Sequence, residues 1–116
     1  AGIMEVRSYN KHLAISPQKL RLVCDQVRGM DAEQARVLLE FMPQKGAGLI
    51  HKTLSSAIAN AENNFDLNPE DLYIAQIFAD EGPRMKRFKA GARGRYKPRV
   101  KRTAHLTIIL EEREEE

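Results

Sequence analysis

The sequence predicts an α+β fold in which three helices pack on a small antiparallel sheet and a long, basic β-hairpin protrudes from it. Three observations support this prediction: apolar residues with helical spacing in the first half of the chain, strand-forming runs in the second half, and a cationic segment between those runs. At 116 residues the chain has the size of one ordinary domain. We expect a single domain over 1–116, with a body at 1–81 and 104–110, a basic hairpin arm at 82–103 and an acidic tail at 111–116.

The chain is predicted to begin with an extended segment and a first helix. Met4 to Leu13 mixes apolar and polar residues and is interpreted as an extended segment or edge strand. Ser16 is a good N-cap and Pro17 suits the first helical position. Apolar residues then follow helical spacing, so the helix is expected to end at Gly29.

Two further helices and two strands complete the predicted body. Asp31 is a candidate N-cap with Gln34 three residues later, as in a capping box, and Pro43 closes this second helix. A third helix is predicted from Lys45 to Asn63, with a stripe of small and aliphatic residues. The strands are predicted at Leu72 to Ala79 and, more clearly, at Ala104 to Leu110.

Positive charge is concentrated in one segment. The stretch from Gly82 to Thr103 contains ten Lys/Arg and no Asp/Glu, whereas residues 1–81 contain eight Lys/Arg and eleven Asp/Glu. Such a block is often a solvated tail. Here strand candidates flank it on both sides, so the chain must leave the body and return, and a protruding β-hairpin is a more economical interpretation than a long structureless loop.

The hairpin interpretation makes a prediction about register. If Ile74 pairs with Leu110, the turn centres near residue 92, inside the segment Gly91 to Gly94, whose glycines can take the positive φ that hairpin turns require. The same register predicts three cross-strand pairs: Arg87 with Lys97, Lys89 with Arg95, and Phe88 with Tyr96.

Like charges that face each other across a ladder destabilise it, so the pattern predicts that phosphates lie against this arm. A single β-bulge in one strand would move the side chains of that strand to the opposite face of the hairpin. The aromatic residues Phe88 and Tyr96 could stack on bases or pack against each other, and the sequence leaves both interpretations open. Pro98 fits only an unpaired edge position.

Other chemistries have little support in the sequence. A lone Cys24 cannot form an internal disulfide, and the clustered Cys and His of a metal site are not present, so we expect an intracellular protein without metal or cofactor. Cys24 is most simply a small core residue. No apolar run approaches the roughly 18 residues that span a bilayer, so no membrane association is expected.

Several segments carry a specific resemblance over nearly the whole chain: Ser16–Val23, Val27–Gly29, Ser56–Asn63, Asp80–Arg87, Ala92–Arg95 and Lys101–Thr107. With these segments the chain resembles the family of large-subunit ribosomal protein twenty-two. The resemblance implies a body on the outer surface of the large ribosomal subunit, near the exit of the polypeptide tunnel, and a hairpin that reaches inward through the RNA to line the tunnel.

The resemblance also implies partners and site residues. The partners would be large-subunit rRNA, neighbouring large-subunit ribosomal proteins and the nascent polypeptide at the hairpin tip, in a cytoplasmic or an organellar ribosome. Lys19 and Arg21 could lie on a solvated helix face or, as the family pattern implies, contact RNA, and both interpretations stay open. The residues expected to bind rRNA are Lys11, Lys19, Arg21, Arg84, Lys86, Arg87, Lys89, Arg93, Arg95, Lys97, Arg99, Lys101, Arg102 and His105.

The expected tunnel-lining tip comprises Ala90, Gly91, Ala92, Arg93, Gly94 and Tyr96. Bacterial members of the family commonly have Pro-Arg where this chain has Ala90-Gly91, and a small residue where it has Tyr96. The bulkier Tyr96 could narrow the tunnel. His105, at the base of the arm, could contact RNA or form a hydrogen bond at the sheet edge.

Two other classes of function compete with this interpretation. An architectural protein that bends DNA with basic β-arms also combines a helical body with ribbons, but its body would be expected to dimerise. An enzyme is disfavoured because His12, His51 and His105 fall on separate predicted elements, without a nucleophile pattern. No catalytic residue is therefore predicted.

Overall fold

The computed structural model describes the backbone of residues 4–83, 85–90 and 96–113, and the side chains of residues 4–83 and 102–113. It confirms the predicted α+β class. In chain order the elements are β1 (Glu5–Leu13), α1 (Pro17–Val27), α2 (Ala32–Phe41), α3 (Lys45–Phe65), a 3-10 turn (Pro69–Asp71), β2 (Leu72–Glu81), β3 (Met85–Ala90), β4 (Tyr96–Lys101) and β5 (Ala104–Glu112).

Two antiparallel sheets are formed from these strands. The body sheet has the order β1-β5-β2, so the last strand of the chain lies in its centre, and β3 pairs with β4 in a separate two-stranded ribbon. The side chains of β5 that point toward the helices, Leu106, Ile108 and Leu110, are at most 1% exposed and belong to the hydrophobic core. Fully burying such side chains contributes about 1.5–3 kcal/mol each, so this strand anchors the body.

The first helix forms for the reasons that the sequence predicts. Ser16 Oγ accepts a hydrogen bond from the backbone N–H of Lys19 at 3.4 Å, and Pro17 occupies the first helical position. The helix ends at Val27, two residues before the predicted end. Gly29 then turns the chain with a φ of 82°, a conformation that glycine adopts without steric cost.

The predicted capping box of the second helix is wrong. Asp31 precedes α2, but its side chain makes no capping hydrogen bond. Its carboxylate instead accepts a hydrogen bond from Arg113 Nε at 2.6 Å. The local spacing of Asp31 and Gln34 is that of a capping box, whereas the partner that the carboxylate binds comes from the far end of the chain.

The third helix is longer than predicted, because it continues through the two asparagines after Ala61 and ends at Phe65. Asp66 has a left-handed φ of 54°, and the backbone N–H of Leu67 donates to the carbonyl of Ala61 at 3.0 Å. Asp66 thus ends the helix in the left-handed conformation that glycine usually supplies at a helix C-terminus.

Cys24 is a core residue, as predicted. Its side chain is fully buried in α1, and this burial raises the pKa of the thiol to about 11. A thiol with so high a pKa stays protonated near neutral pH and is a poor nucleophile and metal ligand. No helix among the described residues is both long and apolar enough to cross a bilayer.

The last strand is longer than predicted, because β5 continues beyond Leu110 to Glu112. Glu111 accepts a hydrogen bond from the Tyr73 hydroxyl at 2.8 Å, and the Arg113 guanidinium lies 4.7 Å from the centroid of the Tyr73 ring. Arg113 also bonds Asp31 and points a second nitrogen at the carbonyl of Gly29, 3.4 Å away. These contacts fix the end of β5 to the body, whereas residues 114–116 lie outside the described part of the chain.

Replacing Arg113 with Gln is expected to lower the free energy of unfolding by about 1 kcal/mol. The substitution removes a partly exposed ion pair and a cation–π contact together. Urea denaturation of the full chain measures the effect. Arg36→Gln is the matched control, because Arg36 forms a similarly exposed ion pair with Glu33 on α2. Equal losses for the two variants would show that the contact with Tyr73 adds nothing.

Candidate nucleic-acid interface

The arm forms the predicted ribbon with a different register. Arg87 lies opposite Arg99, and Lys89 lies opposite Lys97. The prediction that like-charged residues lie opposite each other is therefore confirmed, but the predicted partners, Lys97 for Arg87 and Arg95 for Lys89, are wrong. The predicted opposition of Phe88 and Tyr96 is wrong, because Phe88 is opposite Pro98 and Tyr96 is opposite Ala90.

The register changes in two steps of one residue. Ile74 pairs with Leu110 as predicted, but the next pair after a bulge is Gln76 with Ile109. A second shift occurs at the base of the arm, since Glu81 pairs with Ala104 while the next described pair is Met85 with Lys101. Because the two shifts add, odd-numbered residues again oppose odd-numbered residues in the ribbon.

The base of the arm is held together by close backbone contact. The backbone N–H of Gly82 donates to the carbonyl of Thr103 at 2.9 Å, and Thr103 Oγ1 donates to the carbonyl of Pro83 at 2.8 Å. A Cβ at residue 82 would overlap Thr103 Oγ1 and approach the His105 ring at 3.3 Å. Glycine is therefore required at this position for the two strands to pass so closely.

His105 occupies the same junction and is half-buried. Its Nδ1 accepts a hydrogen bond from the backbone N–H of His12 at 3.2 Å, and the two imidazole rings are in an edge-to-face arrangement with centroids 5.0 Å apart. Of the two roles that the sequence allows for His105, the structure contains the hydrogen bond at the sheet. The neutral ring then carries its proton on Nε2.

Sequence reasoning missed the meeting of His12 with His105. The β1–β5 register shifts between Asn10 and Leu13, and His12 has a φ of 60°. This irregularity turns the backbone N–H of His12 toward β5. Positive φ at a non-glycine residue is rare, and only the tendency of His, Asn and Asp to tolerate it could have hinted at the turn. The third histidine, His51, lies on α3 and not on the strands that carry His12 and His105.

A polar cleft of about 190 Å³ lies where α1 meets the base of the arm. It is lined by Pro17, Gln18, Arg21, Glu81 and Arg102. Arg21 donates from Nε to the carbonyl of Ala79 at 3.0 Å, so part of its guanidinium serves to cover the exposed edge of β2. The cleft thus brings two of the predicted RNA-binding cations, Arg21 and Arg102, together with a carboxylate.

The other predicted cations lie on the body and along the arm. Lys11, Lys19 and Arg102 have exposed side chains on the body. The backbone of β3 and β4 carries Lys86, Arg87, Lys89, Lys97, Arg99 and Lys101, whose side chains are outside the described part. Arg84, Arg93 and Arg95 lie outside the described residues, as do Gly91, Ala92 and Gly94 of the predicted tip.

Metal chemistry receives no support from the described side chains. Among residues 4–83 and 102–113, no group of three His, Cys, Asp or Glu is placed to hold a metal ion. A folded body that carries a basic β-ribbon is the organisation of a nucleic-acid-binding protein.

Comparisons with known proteins identify the family. The model of the family described as ribosomal protein L22p/L17e matches residues 8–111. The chain is 43% identical over 111 residues to the large ribosomal subunit protein uL22 of Finegoldia magna, covering 96% of this chain and 99% of that protein. It is 48% identical to uL22 of Thermomicrobium roseum, covering 94% and 92%, and 50% identical to uL22 of Methylacidiphilum infernorum, covering 96% and 97%.

The chain therefore belongs to the ribosomal protein L22p/L17e family. The resemblance to large-subunit ribosomal protein twenty-two and the prediction of a structural rather than catalytic role are both confirmed.

Substituting Gly82 with Ala is expected to destabilise the protein by about 1–3 kcal/mol, because the added methyl group overlaps Thr103 at the base of the arm. Thermal denaturation measures the change. Gly48→Ala is the control: this glycine lies in α3 with no atom near its missing Cβ, so alanine there should raise stability by up to about 1 kcal/mol.

The double substitution Gly82→Ala with Thr103→Ala tests the cause. On the Thr103→Ala background, the cost of Gly82→Ala should fall, since the overlapping hydroxyl is gone. Additive costs would locate the strain elsewhere.

Proposed function

We propose that this chain is a structural constituent of the large ribosomal subunit, that it supports subunit assembly, and that it binds large-subunit rRNA through its arm and the adjacent part of the body. One observation carries the proposal: the β3–β4 ribbon pairs Arg87 with Arg99 and Lys89 with Lys97. Family membership supports the assignment to the ribosome. We also propose that 1–116 acts as one domain from which the arm projects.

The paired cations need an external counter-charge. Like charges directly opposite each other on a ladder destabilise it, and no acidic residue occurs between Gly82 and Thr103 to compensate. RNA phosphates are the anions that a ribosomal protein encounters at high density. Each phosphate that a Lys or Arg neutralises also releases condensed counterions, which makes binding favourable and salt-dependent.

The body contributes further cations. Lys11 on β1 and Lys19 on α1 have exposed side chains, as does Arg102 at the base of the arm, and His105 presents an Nε2–H while its Nδ1 is held by His12. Arg21 combines a structural bond to β2 with a position in the polar cleft. These residues, with the nine other cations of the arm, form the proposed rRNA-binding set.

The tip is proposed to line the polypeptide exit tunnel and to contact the nascent chain, with neighbouring large-subunit ribosomal proteins around the body, in a cytoplasmic or organellar ribosome. Tyr96 forms the last described pair of the ribbon, opposite the small Ala90. It is thus two ladder pairs closer to the tip than Phe88, which supports a role for its ring at the tip.

Replacing Lys89 and Lys97 with Gln is expected to weaken binding to large-subunit RNA fragments and to make the log–log salt slope shallower by about 1.4–1.8, for two lost phosphate contacts. Filter binding at several salt concentrations gives the slope. The melting temperature of the free protein should be unchanged or slightly higher, because the two residues repel each other.

The matched control for this variant is Arg36→Gln with Lys52→Gln, which removes the same charge from α2 and α3, outside the arm and the polar cleft. Its salt slope should equal that of the unchanged protein. Equal slopes for all three proteins would falsify phosphate binding by the Lys89–Lys97 pair.

Deleting Gly91 to Gly94, or replacing Tyr96 with Ala, is expected to spare folding and incorporation into subunits, because the buried core residues of the body lie outside the arm. The altered tip should change macrolide susceptibility or stalling on arrest peptides. Tyr96→Phe keeps the ring and should behave like the unchanged protein. Normal macrolide susceptibility and normal stalling in ribosomes with the deletion would contradict the tunnel role of the tip and leave RNA binding as the role of the arm.

A further inference from the structure

The body sheet has a second face that the helices do not cover. Burial alternates along β1, where Val6 points into the core and Tyr9 is 59% exposed. In β5 the buried Ile109 lies outside the hydrophobic core that Leu106, Ile108 and Leu110 share with the helices. The odd-numbered residues of β1 and β5 therefore form an open face of the sheet.

An aromatic pair crosses this open face in one row. Thr107 of the central strand pairs with Tyr9 of β1 on one side and with Phe78 of β2 on the other. The Phe78 side chain is 38% exposed, whereas Thr107 is nearly buried. Since adjacent strands are about 4.8 Å apart, the two rings stand on strands roughly 10 Å apart with a short side chain between them.

The surroundings of this row are cationic on the side of β1. Arg7 and Lys11 flank Tyr9 on the same face, and hydrogen bonding to Tyr9, followed by the ion pair with Glu5, raises the pKa of the Arg7 guanidinium. The acidic residues of the face lie toward its two ends: Glu5 and Glu111 pair at one end, and Asp80 pairs with His105 at the other.

The open face also runs directly into the arm. His105 lies beyond Thr107 on β5, and its ring is next to Gly82 at the junction where the body sheet gives way to the ribbon. A nucleic-acid strand bound along the arm would reach the aromatic row without leaving the protein surface. This continuity favours RNA over a protein partner as the occupant.

We propose that Tyr9 and Phe78 form a stacking platform for two unpaired nucleobases of an RNA single strand. This inference rests on the proposed rRNA binding and adds base contacts to the phosphate contacts of the arm. Every base has a π-face, and open antiparallel sheets with exposed aromatics bind splayed bases in this way. The distance between the two strands suits bases that are splayed apart rather than stacked on each other.

A comparison of two single-stranded probes tests the platform with the full chain. The probes are an oligoadenylate of about twelve nucleotides and an abasic ribose-phosphate chain of the same length. Replacing Tyr9 and Phe78 with Leu should weaken oligoadenylate binding about fivefold or more for each ring. Affinity for the abasic chain and the salt slope should stay the same, since no charge is removed.

Two controls separate stacking from other effects. Tyr9→Phe keeps the ring and should retain oligoadenylate affinity, whereas the Lys89→Gln/Lys97→Gln arm variant should weaken both probes and make the salt slope shallower. Nuclear Overhauser contacts between adenine protons and the rings of Tyr9 and Phe78 in the unchanged protein provide a measurement that does not depend on any variant folding.

The outcomes distinguish this platform from the arm. The platform is refuted if the leucine variant binds oligoadenylate as well as the unchanged protein, or if its affinity for both probes falls equally. Phosphate binding by the arm would still be supported by the salt slope. Absence of ring contacts to adenine in a bound complex refutes it as well. If the chain binds neither probe, the platform and the proposed RNA binding both fail, and the open face is left as a surface for a protein neighbour.

Discussion

The pairing of β2 with β5 is the constraint on which the rest of the structure depends. β5 supplies the centre of the sheet and a run of buried aliphatic side chains, and β2 is the strand from which the arm departs. Because the arm is inserted between these two neighbours, its two ends must meet at one point. The body therefore fixes where the ribbon starts without contributing apolar residues to the ribbon itself.

The junction at Gly82 transmits this constraint to the arm. Thr103 accepts the Gly82 N–H with its backbone and caps the Pro83 carbonyl with its hydroxyl, so both strands of the ribbon leave the body from a fixed pair. Beyond this junction, like-charged residues face each other across the ribbon, and their repulsion disfavours an ordered ribbon. Ordering of the ribbon and binding of a polyanion are then linked, since an anion that binds the ordered ribbon stabilises it by mass action.

Most of the fold follows from local features of the sequence. The Ser16-Pro17 helix start, the periodic stripe of α3 and the strand-forming apolar run of β5 are each encoded within a few residues, and all three were predictable. The pairing of Ile74 with Leu110 was also correct. The predictions that were wrong concern features that depend on partners far along the chain. Asp31 is at the position of a helix cap, for example, but its carboxylate binds Arg113.

The candidate site was less predictable than the fold for the same reason. Charge counting alone located the arm, but two bulge-like shifts set its register, and such shifts leave no clear mark in composition. The His12–His105 contact and the row of Tyr9, Thr107 and Phe78 likewise exist only once three strands are aligned. Sequence reasoning considered the aromatic residues of the arm and overlooked the exposed aromatics of the body.

The two register shifts have a consequence that neither would have alone. A single shift would set Arg87 and Lys89 in line with even-numbered residues of β4, such as Pro98 and Tyr96, and would divide the cations between the two sides of the ribbon. With both shifts, the odd-numbered cations of β3 and β4 occupy the same alternate ladder positions. The cost is direct like-charge opposition, and the gain is a continuous row of cations that a phosphate backbone can follow. The bulge in β2 and the irregular pairing at the junction thus determine the alignment of the cations along the arm.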